Sequence, residues 1–139
     1  MRKQIVLILD SSFLIAFHNK NDVHHAAATK VMEDFLRGEY GRALLLEYVF
    51  LEVVTVLLAR RGLAVATTVA RILLEAREVE FVPCSEFFQE TLETFRAQKE
   101  TALSFTDAAI VTIARRQKES KVATFDKDFR RVEGVSVIP

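Results

Sequence analysis

Four carboxylates stand where this chain changes character. Asp10 ends the apolar run Ile5 to Leu9, and Glu52 lies inside the apolar stretch Tyr48 to Leu58. Asp107 opens the segment Asp107-Ala108-Ala109-Ile110-Val111, and Asp126 closes the run Lys121 to Phe125. An acid set against apolar sequence is costly unless it is paired or binds a cation. No lysine or arginine is placed to pair with these four, and carboxylates held close together without a cation stay partly protonated. Magnesium, with manganese as the alternative, relieves that conflict, because both bind carboxylate oxygens and keep waters. Such a site serves phosphate chemistry, in which a water made more acidic by the ion attacks a phosphodiester in line.

Each acid also has a plainer reading. Asp10 could cap a helix that follows it. Asp107 could be a first-turn acid favoured by the helix dipole. Asp126 could be an ordinary turn residue. Glu52 is harder to explain that way. Its helical neighbours are Tyr48, Val49, Thr55 and Val56, which predicts an apolar rather than a solvated setting. Asp107 likewise shares a face with Ile110, Val111 and Ala114.

The elements that must position these acids alternate. Residues 4–9, 43–46, 80–82, 121–124 and 135–138 read as strands, the last at an edge, and the first is short and continuous enough to be a buried parallel strand. Helices are predicted over 13–17 with Ser11 or Ser12 as cap, over 23–37, over 48–61, ended by Gly62, and over 65–77. Two more follow, over 85–99 capped by Ser85 and over 107–118 capped by Thr106. Strands separated by helix-length segments imply right-handed crossovers and a parallel sheet covered on both faces. In such sheets ligands bind at the carboxyl ends of strands. Asp10 and Asp126 fall at strand ends, Glu52 about one turn into a helix and Asp107 in a first turn, so all four can share one edge.

Composition bounds the alternatives. The 139 residues make one α/β domain, 1–139, large enough for a core without disulfides. Half the residues are hydrophobic and 27% charged, which argues against disorder. The one cysteine, Cys84, excludes an internal disulfide and reads as a small buried hydrophobe. No signal peptide or membrane-spanning run is evident, so the cytoplasm is the expected location and no membrane partner is expected. The 19 basic and 19 acidic residues cancel, so binding of nucleic acid by bulk charge is not indicated, although a local basic pair can still hold a backbone.

The four acidic segments together resemble the PIN domain. Leu9-Asp10-Ser11-Ser12-Phe13-Leu14-Ile15-Ala16-Phe17 is similar to its opening motif, and Glu47-Tyr48-Val49-Phe50-Leu51-Glu52 to its second. Leu103 to Ile110 and Ala123 to Phe129 resemble the third and fourth. All four occur in family order across nearly the whole chain, with the VapC-type ribonuclease toxins as the subgroup resembled. The resemblance implies a PIN-like three-layer α/β/α fold with a central parallel sheet. It implies a magnesium-dependent endoribonuclease acting on RNA, usually a homodimer, silenced by a small antitoxin protein. By motif, Asp10, Glu52, Asp107 and Asp126 are the catalytic acids, with Asp10, Asp107 and Asp126 on the metal. Glu47 is a secondary claimant to the second place, Asp128 a fifth acid acting through water, and Ser11 and Thr124 hydroxyls that hold a carboxylate or a water.

Other residues carry less. His24 and His25 are adjacent and point apart on a helix, so with His18 they read as solvated rather than as ligands. Phe13 and Phe105 lie near the motifs and are base-stacking candidates, although core packing explains most of the 11 phenylalanines. Arg60-Arg61 and Arg115-Arg116 read as helix ends complementing the dipole. Arg130 and Arg131, close after Asp126, are the RNA-contact candidates. Val53, Val54, Leu57 and Leu58 exceed what one core face uses, which predicts a subunit contact. A haloacid-dehalogenase-like phosphatase would need Asp-x-Asp where the chain has Asp10-Ser11-Ser12, and a receiver domain would need an acidic pair after the first strand. Two alternatives stay open: a PIN-like module that only binds protein, and a PIN nuclease of RNA processing rather than a toxin.

Overall fold

The computed structural model describes residues 5–139; the start of the expected first strand at Gln4 lies outside the described residues. The strands among the described residues are β1 (Val6–Leu9), β2 (Ala43–Leu46), β3 (Val79–Val82), β4 (Ser120–Ala123) and β5 (Val137–Ile138). These five form one wholly parallel sheet in the order β3-β2-β1-β4-β5. β1 and β2 are buried along their whole length. That is why Val6-Leu7-Ile8-Leu9 and Ala43-Leu44-Leu45-Leu46 are continuous apolar runs rather than alternating ones.

Among the described residues six α-helices flank this sheet: α1 (Ser11–Phe17), α2 (His25–Leu36), α3 (Glu47–Arg61), α4 (Leu63–Glu75), α5 (Phe88–Arg96) and α6 (Phe105–Arg116). The first four pack on one another, α2 on α1, α1 on α3 and α3 on α4, and α5 packs on α6. From β1 the chain steps outward to β2 and β3, then returns past β1 to β4. Right-handed crossovers therefore put α1 to α4 on one face and α5 and α6 on the other. This is the expected three-layer α/β/α arrangement. The return creates a switch point between β1 and β4, whose register pairs Leu9 with Ala123.

Several boundaries differ from expectation, each for a local reason. The second helix begins at His25, leaving Val23 outside it and 89% exposed. The predicted 85–99 helix is a short 3-10 turn, Ser85–Phe87, followed by α5, which stops at Arg96. Gln98 explains the stop. Its side-chain carbonyl accepts the Leu103 N–H at 2.7 Å and its amide donates to the Leu103 carbonyl at 3.1 Å, closing a loop in place of a further turn. The last helix begins at Phe105, capped by Ser104 rather than Thr106. Gly62, at φ 90, divides α3 from α4 in a conformation that other residues rarely adopt.

The core takes Val53 and Leu57, both fully buried, which corrects their assignment to a surplus apolar surface. Leu58 is exposed as expected and Val54 half-buried, and the other exposed large apolar residues of these helices are Leu51, Leu63, Ile72 and Leu74. Among the described residues no helix is long and apolar enough to cross a membrane.

Candidate active site

Asp10 follows directly on β1 and is the N-cap residue of α1. Only 3% of it is exposed. The Thr124 hydroxyl donates to its Oδ2 at 2.7 Å and the Ser12 hydroxyl to the same atom at 2.9 Å. Both hydroxyls are themselves fixed by backbone. Ser12 Oγ accepts the Phe125 N–H at 2.9 Å, and Thr124 Oγ1 accepts the Asp126 N–H at 2.9 Å. The strand ends of β1 and β4 are thus tied through side chains, and Asp126 is set by the same network that holds Asp10.

Ser11 Oγ donates to Glu52 Oε1 at 2.7 Å, joining α1 to α3. Glu52 is exposed, not set among apolar groups as its neighbours in sequence imply. The surface of α3 around it opens onto a cavity, so apolar neighbours along the helix do not bury it. Asp107 sits in the first turn of α6 within a capping box. Its N–H donates to Ser104 Oγ at 3.1 Å, and its carboxylate accepts the Ser104 N–H at 3.4 Å.

These four acids line one cavity of about 500 Å³ at the β1/β4 switch point, the place where open parallel sheets bind ligands. Among the described residues none of the four takes part in an ion pair. Burial pushes Asp10 above the ordinary carboxylate range, with the Glu52 charge adding to it against the hydrogen bonds from Thr124, Ser12 and the Ser11 backbone. Asp107 is pushed from 3.8 to about 6, first by burial and next by the Asp10 charge; the Ser104 hydrogen bonds oppose this and Asp126 adds to it. The carboxylates feel one another across the cavity, and that mutual repulsion is what a cation would relieve.

Among the described residues no three histidine, cysteine, aspartate or glutamate side chains are drawn in tightly enough to enclose a metal ion. An all-carboxylate donor set suits a hard divalent ion that takes one or two protein oxygens and retains water. It does not suit zinc, which wants a closed tetrahedron with nitrogen or sulfur ligands. The donor set therefore fits magnesium or manganese.

The remaining sequence candidates are distributed differently. Glu47 Oε1 accepts the Cys84 N–H at 2.9 Å, fastening α3 to the segment after β3, and Glu47 does not line the cavity. Asp128 is exposed, with its N–H donating to Asp126 Oδ1 at 2.9 Å. It supports the turn that carries Asp126 rather than lining the cavity. Arg130 donates to the Pro139 carbonyl at 2.8 Å, and Arg131 lines a separate depression with Lys99 and Arg115. Neither basic residue lies among the cavity's walls. Phe13 is fully buried, and Phe105 packs against Tyr48, Phe88 and Phe95.

Other residues join the cavity that sequence reasoning passed over: Ser12, Asp22, His24, Ser104, Phe125 and Arg60. Arg60 had a legible signal, since Glu52, Val56 and Arg60 recur every four residues on α3 and so share a face. His24 had none, because the turn that brings it over β4 is not local.

The chain matches the family model described as PIN domain over residues 7–135. Solved structures of similar fold include Mycobacterium tuberculosis VapC20, described as a sarcin-ricin-loop-cleaving toxin. Its TM-score is 0.82 at 24% identity, covering 96% of this chain and 99% of that one. VapBC2 from Rickettsia felis, bound to a DNA fragment from its promoter, gives 0.67 at 14% identity, covering 96% and 97%. The T. brucei RRP44 PIN domain gives 0.51 at 14% identity, covering 97% and 76%. No curated protein matches the sequence. At these identities the structural likenesses speak for the fold, and the family model, which spans nearly the whole chain, speaks for descent: the chain belongs to the PIN domain family.

Proposed function

We propose that this protein is a divalent-metal-dependent endoribonuclease, the toxin of a toxin–antitoxin pair. The observation that carries the nuclease reading is the convergence of Asp10, Glu52, Asp107 and Asp126 on one cavity with no ion-paired cation among the described residues. Asp10, Asp107 and Asp126 would hold magnesium, with manganese as the alternative, and Glu52 would stand beside them. When bound, such an ion lowers the pKa of water and offsets charge building on a phosphate. The chain's own residues do the rest. Thr124 and Ser12 orient the Asp10 carboxylate, and Ser11 orients Glu52. Glu52, exposed on the cavity wall, would take a proton from an attacking water. Arg60 lies on the same wall and supplies a cation for the RNA backbone.

The toxin reading is supported by likeness in fold to VapC20 and VapBC2. A shallow apolar groove lined by Tyr48, Leu51, Thr55, Val56 and Thr106 shares Glu52 with the acidic cavity. A small antitoxin lying in that groove would bring an arginine to the carboxylates, which guanidinium pairs with well. The exposed leucines of α3 and α4 support a homodimer.

Purified protein, free of any antitoxin, should cleave single-stranded RNA with magnesium or manganese and stop when the ion is chelated. Asp10→Asn should abolish cleavage with the fold intact. Undiminished cleavage by Asp10→Asn in chelator would refute the mechanism. Toxicity on expression, relieved by a small protein encoded beside it, tests the biological role.

A further inference from the structure

Phe13, Phe125 and His24 form a short column of aromatic rings running from the core to the cavity rim. Phe13 is fully buried. Phe125 is half-buried beside it, with ring centres 6.3 Å apart and planes inclined by 17°. The His24 imidazole stacks on Phe125 at 4.2 Å and 10°. His24 is exposed, so the column ends on a flat ring open to solvent. Phe125 and His24 both line the cavity that holds the four acids.

The column is fixed relative to those acids. The Phe125 N–H donates to Ser12 Oγ at 2.9 Å, and the same hydroxyl donates to Asp10 at 2.9 Å. The His24 N–H donates to Asp22 Oδ1 at 2.8 Å, and the next residue, His25, pairs its ring Nδ1 with the Ala16 carbonyl at 2.9 Å. Covering Phe125 requires only an apolar side chain. A planar polar ring, held parallel and left exposed beside a phosphate-type site, suits another planar ring above it.

We propose that His24 on Phe125 is a stacking platform for an unpaired nucleobase next to the phosphate that is cut. The proposal rests on the nuclease reading for the nature of its ligand. Every base has a π-face, so such a platform selects for an unpaired base more than for its identity, and it is worth about tenfold or more in affinity. A base paired inside an A-form helix reaches it only after unstacking. His24 is thus a positioning residue that sets the register of the strand over the carboxylates.

The test uses an Asp10→Asn background, so that binding is read without turnover. Short single-stranded RNAs carry one 2-aminopurine at successive positions. Fluorescence should be quenched most at one position, and His24→Ala should remove that quench and weaken binding about tenfold. His24→Phe, which keeps a ring, should retain both. An abasic nucleotide at that position should cost the same factor, with no further loss from His24→Ala. Equal quench and affinity with and without His24, additive losses with abasic RNA, or no binding of these RNAs at all overturns the platform. Should His24→Ala not fold, as read by circular dichroism, the His24→Phe protein with intact and abasic RNA decides. Intact RNA after incubation with the unmodified protein and magnesium overturns the nuclease reading separately, and the binding series still decides the platform.

Discussion

Asp10 and Asp107 are held in a setting that opposes their own charge, and this has a measurable consequence in metal-free protein. Asp107 titrates at about 6 rather than 3.8, so the folded state favours its neutral form. The sign follows from linkage: stability is full below about pH 4, falls as pH rises, and has lost this contribution above about pH 6. Asp107→Asn does not titrate and its side-chain carbonyl can still accept from Ser104. It should melt higher than the unmodified protein above pH 6, by about 1 kcal/mol after allowing for partial exposure, with the gap closing towards pH 4. Magnesium should raise the melting temperature of the unmodified protein and raise that of Asp107→Asn less. A gap that widens on acidification would contradict the charge conflict. Thr124→Val removes a donor from the carboxylate of Asp10 and the acceptor of the Asp126 N–H, so RNA cleavage should fall and thermal stability should drop with it, by about 1–3 kcal/mol.

The acids reach one place because of what the elements around them do at their ends. The capping box at Ser104 sets the first turn of α6, and Ser104→Ala should cost about 1 kcal/mol in thermal unfolding. Gly62 holds φ at 90 with nothing within 4 Å of the position a Cβ would take. Gly62→Ala should therefore cost about 1 kcal/mol through backbone strain alone, with no clash. The sequence made the strands legible through their apolar runs, and Asp10, Asp107 and Asp126 through their position at element ends. Glu52 was legible as an odd residue in an apolar helix, although its exposure was not. Ser104 as cap and the Gln98 loop were missed because capping depends on geometry that Thr106 and Ser104 satisfy equally well on paper. For Arg130 and Arg131, nearness in sequence to Asp126 does not put them on the cavity wall, because the turn Lys127–Arg131 carries Arg130 to the Pro139 carbonyl.

At the scale of the molecule, zero formal charge leaves no bulk positive field, so on the ribonuclease reading affinity for RNA is expected from the cavity and its rim. Binding should depend on salt only weakly, with a slope reflecting one or two phosphate contacts, and Arg60→Ala should flatten it further. A steep slope would point to a basic surface elsewhere. Leu58 on α3 and Leu63, Ile72 and Leu74 on α4 are exposed and do not line the groove offered to an antitoxin. Sedimentation at micromolar concentration should show a dimer, and Leu58→Glu should shift it towards monomer. A single monomeric species before substitution would remove the dimer.

The central strand β1 pairs with β4 across more than a hundred residues of chain, Val6 opposite Ser120 and Leu9 opposite Ala123. During synthesis the sheet therefore grows outward on one side only, through β2 and β3, while the other edge of β1 waits unpaired. Until Ser120 to Asp126 have been added, Asp10 lacks the Thr124 hydroxyl that orients it and the cavity lacks its fourth acid. On the ribonuclease reading, a site built in this order is assembled last. Chains stopped before Ser120 should be prone to aggregate through the open edge of β1, and on the ribonuclease reading they should not cleave RNA until the closing strand arrives.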